Sequence, residues 1–436
     1  MNLLQQISSL DFPAPLPTTL HLIEQRFDAP RLPDIPAAAK EAVLQIKPLV
    51  DHANGSVIAV GVGSRGIANL AIIVRGVIDQ LKALGARPFI FPAMGSHGGA
   101  TDEGQRHVLA EFGVTEEAMG VEIRSSMAAR QIGQLPDGPA LFQDANAAQA
   151  DYTLLINRVK PHTDFRHRIE SGLSKMAVIG MGKQQGAAIM HAYGTYGFKN
   201  YLEPAMRLYE ANSNLIGGIA IVENAYDQTA RIVGLPVCDI GAEAEAALLT
   251  QAKAWMASLP FPEIDVLVVR HIGKNISGAG MDTNIIGRLL IPRQPEDFGG
   301  PDIAVIAALD VTPQSEGNAS GIGLADVTTA RLVSKMNWTT MYTNAITAGS
   351  FGIRRSKLPI TLAQDRQALQ VALRSCGIAP EEARIVFIQD TLTLDKLWIN
   401  DPLLDLIDGK PNLSRIGETP LTFDAQGQMT SPWQFD

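Results

Sequence analysis

The stretch VIAVGVGSRGIANLAIIVRGVIDQLKALGARPFIFPAMGSHGG, residues 57–99, decides the fold class of this chain. It begins with a short β-branched run that is typical of a buried strand, and a second such run follows from Arg87. Between the two runs, apolar side chains recur at helical spacing, as at Ile73, Val77 and Leu81. A strand, a helix and a strand in this order predict a parallel α/β sheet.

The same alternation continues along the chain. Thr101 is predicted to cap a helix in TDEGQRHVLAEFG, and DYTLLINRV at 151–159 is predicted to be a third strand. Three more runs of the buried-strand type, DVLVVRHIG, DIAVIAALD and ARIVFIQD, follow residue 263. We therefore expect two α/β domains with mostly parallel sheets, and an active site in the cleft between them.

The segment SLPFPEID at 258–265 is the predicted domain boundary. We expect an N-terminal cofactor-binding domain over residues 1–260 and a C-terminal substrate domain over residues 261–400. The tail 401–436 is rich in turn residues, and we expect it to pack back on the N-terminal domain.

Composition excludes several classes of protein. Of the 436 residues 46% are hydrophobic and 19% are charged, which favours large cores over disorder. The net charge of -9 argues against nucleic-acid binding, which needs a basic face. Cys238 and Cys376 are too few and too far apart for a disulfide framework or a thiolate zinc site. There is no signal-peptide pattern and no apolar run of about 18–20 residues, so we expect a cytoplasmic protein without membrane association.

Three loops should share one rim of the first sheet. They are SRG at 64–66, GSHGG at 95–99 and VKPH at 159–162, and each follows a predicted strand. The carboxyl ends of parallel strands meet at one edge of a sheet, where ligands collect. Each loop carries a cationic or proton-exchanging group, so the rim is the candidate site.

Four side chains at or after these loops could carry chemistry. His97 and His162 could exchange protons near neutral pH or ligate a metal, although His97 also suits an ordinary turn. Lys175 lies among small and apolar residues, where an amine can become a nucleophile, although a lysine that reaches solvent from a helix end has the same pattern. His191 follows 16 residues later, a distance of ~24 Å along one uninterrupted helix. Glycines between the two would permit a reversal that brings them to one ligand.

The sequence leaves the roles of two further polar residues open. His167 lies in FRHRIE between two arginines, which is typical of a surface segment. Lys183 in GMGK resembles a fragment of a phosphate loop, but the full GxxxxGK[ST] spacing is absent.

The ordered set SRG, GSHGG, KPH, Lys175 and His191 resembles the nickel-dependent lactate racemase family, over roughly residues 55–290. Members use a nickel-pincer nucleotide, a pyridinium mononucleotide with two sulfur-bearing arms that hold nickel together with a ring carbon. The resemblance implies a pyridinium-3-thioamide-5-thiocarboxylate form of this cofactor, attached to the chain. It also implies proteins that synthesise the cofactor as partners.

The resemblance assigns a role to each residue of the set. His97 and His162 look like the opposed acid/base histidines, Lys175 like the lysine that forms the covalent thioamide, and His191 like the nickel ligand. In the family mechanism, hydride moves from the substrate carbon to the cofactor while one histidine takes the hydroxyl proton. Hydride then returns to the other face of the 2-keto acid, which requires a base on each side.

The cofactor-contacting pair of the family falls on Ser64 and Arg65, with Gly66 beside them. The family commonly has an aspartate two residues before this pair, and Val62 stands there instead. The spacing from KPH to Lys175 is about three residues longer than in the lactate enzymes. These departures lie close to the cofactor motifs but leave the motifs themselves in place.

Larger departures affect the expected substrate contacts. GMDTNIIGR at 280–288 resembles the D-x-N segment of the family and contains Asn284, but Ile286 and Gly287 replace the expected tyrosine and glutamine. Arg288 or Lys274 could supply a cation for a substrate carboxylate, and either could equally be a solvated surface residue. The sequence therefore predicts an isomerase, a racemase or epimerase of a 2-hydroxy acid other than lactate.

Two other functions remain open at this point. A hydrolase could hold zinc with His97, His162 and His191, since three histidines suit a catalytic zinc site. A non-catalytic carrier of a nucleotide-like ligand would explain the missing lactate contacts. The sequence does not reveal the particular hydroxy acid, its stereochemistry or the oligomeric state.

Overall fold

The computed structural model describes residues 7, 9–63, 66–293, 295–296, 299–433 and 435. The chain forms two compact units. One is the continuous segment Asp28–Met256, and the other combines Met1–Phe27 with Ala257–Asp436. Ser64 and Arg65, expected to contact a cofactor, lie outside the described residues.

Strands make up the centre of each unit. Those of Asp28–Met256 are β2 (Val57–Val62), β3 (Arg87–Pro92), β4 (Ala129–Gln134), β5 (Ala140–Asp144), β6 (Tyr152–Arg158), β7 (Leu215–Glu223) and β8 (Thr229–Pro236). Those of the other unit are β1 (Thr19–Gln25), β9 (Glu263–Ile272), β10 (Asp302–Val311), β11 (Val327–Thr329), β12 (Ile360–Leu362), β13 (Ile385–Ile388), β14 (Lys396–Ile399) and β15 (Leu413–Pro420).

The sheet of the unit Asp28–Met256 has the order β3-β2-β6-β7-β8. Its first four strands are parallel neighbours, and β8 pairs antiparallel with β7 at the edge. A separate antiparallel pair is formed by β4 and β5. The helices of this unit are Ile35–Gln45, Lys47–His52, Leu70–Ala83, Asp102–Glu111, Glu116–Met119, Leu173–Lys175, Lys183–Ala192, Gly194–Asn212 and Glu243–Ala254, with a π-helix at Met176–Met181.

Both faces of this sheet are buried, as the continuous apolar strands predict. Along β2, Ile58 and Val60 belong to one core and Ala59 to the other, because successive side chains point to opposite faces. The helix Leu70–Ala83 contributes Ile73, Val77 and other buried residues to the core of Ile58. The expected helix after Thr101 is also present, and the Thr101 side chain accepts a hydrogen bond from the Gly104 amide.

The second unit has an eight-stranded sheet of order β12-β11-β10-β9-β13-β14-β1-β15. The strands β12 to β13 in this order are parallel, and those from β13 to β15 pair antiparallel. Its helices are Ala330–Ser334, Trp338–Thr347, Ser350–Arg355 and Asp365–Ser375. The expected fold class, α/β with mostly parallel sheets, is confirmed.

The terminal segments correct the expected division of the chain. The first 27 residues belong to the unit of Ala257–Asp436, because β1 pairs with β14 on one side and β15 on the other. The tail 401–436 lies in this same unit. Local sequence patterns miss this arrangement, since the paired strands are nearly a whole chain apart. Of the helices that the structure describes, none is long and apolar enough to cross a bilayer.

Candidate active site

The three loops that carry the predicted site follow neighbouring strands. In the order β3-β2-β6 all strands run parallel, so the loops after Val62, Pro92 and Arg158 emerge at one edge of the sheet. This confirms that the loops share a rim. On the first loop, Gly66 is exposed, and a side chain there would meet no atom within 4 Å.

His162 and Lys175 are in direct contact on this rim. The Lys175 Nζ lies 2.6 Å from the His162 Nε2, and both residues are partly buried. The other ring nitrogen, Nδ1, accepts a hydrogen bond of 3.0 Å from the Asp164 amide, and one Asp164 carboxylate oxygen lies 3.7 Å from it. Both nitrogens of the His162 ring therefore have protein partners.

Phe198 lies between the functional side chains. Its buried ring stacks against the His162 ring at a centroid distance of 6.0 Å and against Phe165 at 5.5 Å. The Lys175 Nζ lies 5.7 Å from the centre of the same ring, and the His191 ring meets it edge-on at 5.2 Å. Three of the four predicted residues thus share one aromatic neighbour.

A break in the helix brings His191 back toward Lys175. The chain passes from Lys175 into the π-helix Met176–Met181 and then turns at Lys183, which has the left-handed φ of 56°. The helix Lys183–Ala192 therefore does not continue the direction of the preceding turn. π-Helical segments often occur at functional sites. His191 and Lys175 thus meet the same Phe198 ring. His191 keeps an exposed surface, but its neighbours shield the ring from water enough to lower its pKa, an effect that the Lys175 charge increases and Asp164 opposes.

Glu245 fixes the start of the segment that bears Lys175. Its fully buried carboxylate accepts hydrogen bonds from the Ser174 amide and hydroxyl and from the Gly241 amide. A Cβ at Gly172 would lie 2.3 Å from the Glu245 Oε1, so only glycine permits this approach. The carboxylate thus holds the backbone immediately before Lys175.

A second buried carboxylate, Glu170, holds the loop of His162. It accepts hydrogen bonds from the His162 amide at 2.7 Å and the His167 amide at 3.2 Å, and pairs with Lys253 at 2.5 Å. Arg166 donates to the His162 carbonyl from the other side. These bonds tie the His162 backbone to the rest of the unit.

The loop of His97 is attached to a buried ion pair. Lys183, fully buried, donates to the Pro92 carbonyl at 2.6 Å and to Gln105 at 3.0 Å, and pairs with Asp144 at 3.0 Å. Burial lowers the pKa of Lys183 and raises that of Asp144, and each charge opposes the shift of the other. Gln105 in turn donates to the carbonyls of Gly95 and His97.

This network joins the His97 loop to the segment after Lys175. The Gly95 amide also donates to the Gly180 carbonyl at 3.0 Å, so the loop packs on the π-helix. His97 itself is exposed at the rim. The GMGK motif suggested a phosphate loop. Lys183 is instead a structural cation that holds neighbouring segments together.

The sequence reasoning missed Phe198, Glu245, Asp144 and Gln105. No local motif marks them, because each acts through partners far along the chain. The GMGK pattern did point to Lys183, but to the wrong role, since its lysine is enclosed and has no access to a phosphate. His167 contributes its backbone to the Glu170 network.

The predicted substrate residues of the second unit have other partners. Arg288 donates to the carbonyls of Leu324 and Ile303 and pairs with Asp326 at 2.8 Å, so its guanidinium holds the fold together. A contact between Arg288 and a substrate carboxylate stays a prediction.

Lys274 and Asn284 also bond within their own loop. The Lys274 Nζ donates to the Gly278 carbonyl at 2.6 Å, and the Asn284 amide side chain donates to Asp282 at 2.7 Å. Contact of these two residues with a substrate stays a prediction; the Lys274 bond is exposed to solvent, and the Asn284 bond is partly buried.

The geometry does not support the zinc alternative. Over the parts of the chain that the structure describes, no group of three or more His, Cys, Asp or Glu side chains is arranged to hold a metal ion.

Comparisons with known proteins bear on the fold. No protein-family model and no curated protein sequence matches the chain. Among solved structures, the lactate racemase apoprotein from Thermoanaerobacterium thermosaccharolyticum is similar over 85% of this chain and 94% of its own, with a TM-score of 0.52 and 14% sequence identity. A protein from Thermotoga maritima is similar over 82% and 96%, with a TM-score of 0.50 and 12% identity. At these identities the likeness establishes the fold, which is that of lactate racemase.

Proposed function

We propose that the chain is a racemase or epimerase of a 2-hydroxy acid other than lactate, and that it uses a lysine-tethered nickel-pincer nucleotide. The observation that carries the proposal is the grouping of His162, Lys175 and His191 around Phe198. The fold shared with the lactate racemase apoprotein supports it.

The residues present fit such a cofactor. Covalent attachment needs an amine, which Lys175 offers beside an imidazole. Nickel needs a neutral imidazole, and the lowered pKa of His191 favours that form. Gly66 has open space around it, since a Cβ there would meet no atom within 4 Å, so a nucleotide could approach the backbone at this point. When bound, the cofactor would supply a hydride acceptor and a nickel centre.

The remaining roles belong to the chain. His162 would exchange the substrate hydroxyl proton on one side, and His97 on the other. Glu170 and Arg166 hold His162 by its backbone, whereas Gln105 and Lys183 hold the His97 loop. Ser64, Arg65 and Gly66 would contact the cofactor, as the resemblance implies.

A substrate other than lactate follows from the second unit. Ile286 and Gly287 stand where the family has residues that help hold lactate, and Arg288 is engaged by Asp326. Lys274 and Asn284 would then make the polar contacts to the substrate. We expect a hydroxy acid whose side chain differs from the methyl group of lactate.

The decisive experiment is the intact mass of the protein produced in a host that makes the pincer nucleotide, with peptide mapping and metal analysis. The proposal predicts several hundred daltons added on the peptide that contains Lys175, with nickel bound. A chain that stays unmodified in a host that loads a known lactate racemase would overturn it.

Substrate screening follows on the loaded protein. A panel of 2-hydroxy acids, supplied as single stereoisomers, would be incubated and separated by chiral chromatography. Interconversion of any member would establish the isomerase. A loaded protein without turnover on the whole panel would favour the carrier of a nucleotide-like ligand.

A further inference from the structure

One stretch of the second unit is basic in an otherwise acidic chain. Between Asp326 and Asp365 there is no acidic residue, whereas five basic residues occur there. The chain as a whole carries a net charge of -9. Charges of one sign that gather in one segment attract ligands of the opposite sign, so the partners of these five cations decide whether any is available to a ligand.

Three of the five basic residues have partners within the protein. Arg331 and Lys335 both pair with Asp310. Arg355 is buried, and its Nε donates a hydrogen bond of 2.8 Å to the Leu289 carbonyl. These three cations therefore hold the fold together.

The other two, Arg354 and Lys357, are exposed. Neither side chain has a hydrogen bond or an ion pair with any residue that the structure describes. Both residues line one cavity of about 310 Å³. Two cations on one cavity repel each other, and a bound anion would relieve that repulsion.

Apart from the two cations, the cavity has apolar walls. Among the described residues, the lining is completed by Leu290, Gly323, Ala325, Leu358 and Pro359. None of these carries an acidic group. The volume is at the lower end of the range for ligand pockets, about 300–1,000 Å³. Such a cavity suits a small anion that also carries hydrocarbon, because the charge meets cations and the hydrocarbon leaves water.

The backbone that presents the two cations is fixed by close contacts. A Cβ at Gly323 would lie 2.7 Å from the Arg354 carbonyl oxygen and 2.9 Å from that of Lys357, so only glycine permits this approach. The Gly321 amide donates to the Arg355 carbonyl at 3.1 Å. The walls are thus attached to one another without a ligand, which lowers the entropy that binding must lose.

Two acidic residues near the lining in the chain are engaged elsewhere. The Glu296 carboxylate accepts hydrogen bonds from the Leu289 and Leu290 amides, at 2.7 and 2.8 Å. Asp326 pairs with Arg288 at 2.8 Å. Both carboxylates have partners other than the two cations of the cavity.

We propose that this cavity is a binding site for a small organic carboxylate, whose charge is received by Arg354 and Lys357. The planar arginine fork binds both oxygens of a carboxylate, and the lysine adds a compact positive charge. The hydrocarbon part of the ligand lies against the apolar walls. The site is built only from residues of the second unit, shares no residue with the candidate active site and needs no cofactor.

The test is protection of Arg354 in the wild-type protein from phenylglyoxal, a reagent for guanidinium groups, followed by peptide mapping. The probe is hexanoate, for which we expect a Kd on the order of 1 mM. At about ten times that concentration it should slow the modification of Arg354 about tenfold. Arg366, exposed on the helix Asp365–Ser375, is the internal control and should react at an unchanged rate. An Arg354 rate that hexanoate does not change would overturn the proposal.

Two further probes separate the charge from the hydrocarbon. At the same concentration and ionic strength, 1-hexanol has the hydrocarbon without the charge, and inorganic phosphate has the charge without the hydrocarbon. Each should slow the modification of Arg354 less than about twofold. Protection by hexanol equal to that by hexanoate would contradict the role of the cations. Equal protection by phosphate would show a general anion site and overturn the assignment to an organic carboxylate.

A double variant tests the two cations directly. In Arg354→Gln/Lys357→Gln, the binding of hexanoate, measured by ligand-detected NMR, should weaken at least about tenfold. Arg366→Gln/Arg374→Gln removes the same charge from two exposed positions and should bind hexanoate as the wild type does. Unchanged binding in the first double variant would contradict the proposal. The protection experiment uses the wild type, so it decides the question even where that variant does not fold.

Discussion

His97 and His162 lie on the loops after β3 and β6, on either side of the loop after β2, and differ in what holds them. The His162 ring is fixed at both nitrogens, by Asp164 and Lys175. His97 is exposed, and the structure ties its backbone to Gln105. In the proposed acid/base reaction, the His162 ring would thus act from a more enclosed position than the exposed His97.

Replacement of the exposed histidine should separate catalysis from cofactor loading. We expect His97→Gln to acquire the same mass on Lys175 as the wild type, while interconversion of a substrate found by screening falls by about 10²–10⁴-fold. Its free energy of unfolding should stay within about 0.5 kcal/mol of the wild type, since the side chain is exposed. Intact mass, chiral chromatography and urea denaturation measure the three quantities. Full activity would remove His97 from the proposed mechanism.

The ring of Phe198 should matter for loading beyond its share of the core. We expect Phe198→Leu to lose about 1–2 kcal/mol of unfolding free energy and to load the cofactor less completely, because His162, Lys175 and His191 all contact this ring. Phe89→Leu, in the same hydrophobic core but on β3, is the matched control. Equal loading in the two variants, measured by intact mass, would show that Phe198 only fills space.

At the scale of elements, the strands and the helices between them follow from local periodicity. The runs at β2, β3 and β6 and the helix Leu70–Ala83 were predictable because each depends on residues within one turn or one strand. The π-helix and the turn at Lys183 were not, because they depend on Asp144 and Gln105, the latter 78 residues away. The grouping of His162, Lys175 and His191 required the family resemblance, whereas their shared neighbour Phe198 required the structure.

Removal of one partner of the Lys183–Asp144 ion pair should lower the free energy of unfolding strongly. Replacement of both partners by apolar residues should lower it less. Lys183→Met leaves a buried carboxylate without its cation, and we expect a loss of about 3–5 kcal/mol in unfolding free energy. The double variant Lys183→Met/Asp144→Leu should recover a large part of that loss, because both charges are gone. A double-mutant cycle in urea measures this. A double variant no more stable than Lys183→Met would contradict the pairing.

Glu245 should make stability depend on pH in a defined direction. Burial raises its pKa, and hydrogen bonds from Ser174 and the Gly241 amide oppose the rise. Because the folded pKa lies above the unfolded one, the contribution is complete below about pH 4.3 and is lost as the pH rises through the folded value. Glu245→Gln removes this titration, so between about pH 5 and pH 8 the wild type should lose more unfolding free energy than the variant. Urea denaturation at both pH values checks it, and an equal loss would contradict the raised pKa.

At the scale of the whole molecule, the two units differ in how many segments of the chain build them. Asp28–Met256 is continuous, whereas the other unit needs both ends of the chain. The return of the first 27 residues to the second unit leaves no local signal in the sequence, because it depends on antiparallel pairing between strands far apart in the chain.

This division predicts which fragments fold. Residues 28–256 expressed alone should unfold cooperatively in urea, since their sheet and cores are complete. Residues 257–436 alone should not, because β15 loses β1, its neighbour in the sheet, and β14 presents an open edge. Addition of a peptide covering residues 15–27 should restore cooperative unfolding of the second fragment. Cooperative unfolding of residues 257–436 without the peptide would show that β1 is dispensable.

The position of β1 between β14 and β15 also delays its pairing during translation. The ribosome makes β1 long before its partners, which follow it only near residues 396–420. At about 5–20 residues per second, the nascent chain carries this apolar strand unpaired for on the order of 20–80 s. Throughout that interval Leu20, Leu22 and Ile23, all buried in the finished protein, are open to chaperones and to other nascent chains. A strand that waits this long for its partners in the same chain is the one that would most readily pair with a neighbouring copy on the same messenger RNA.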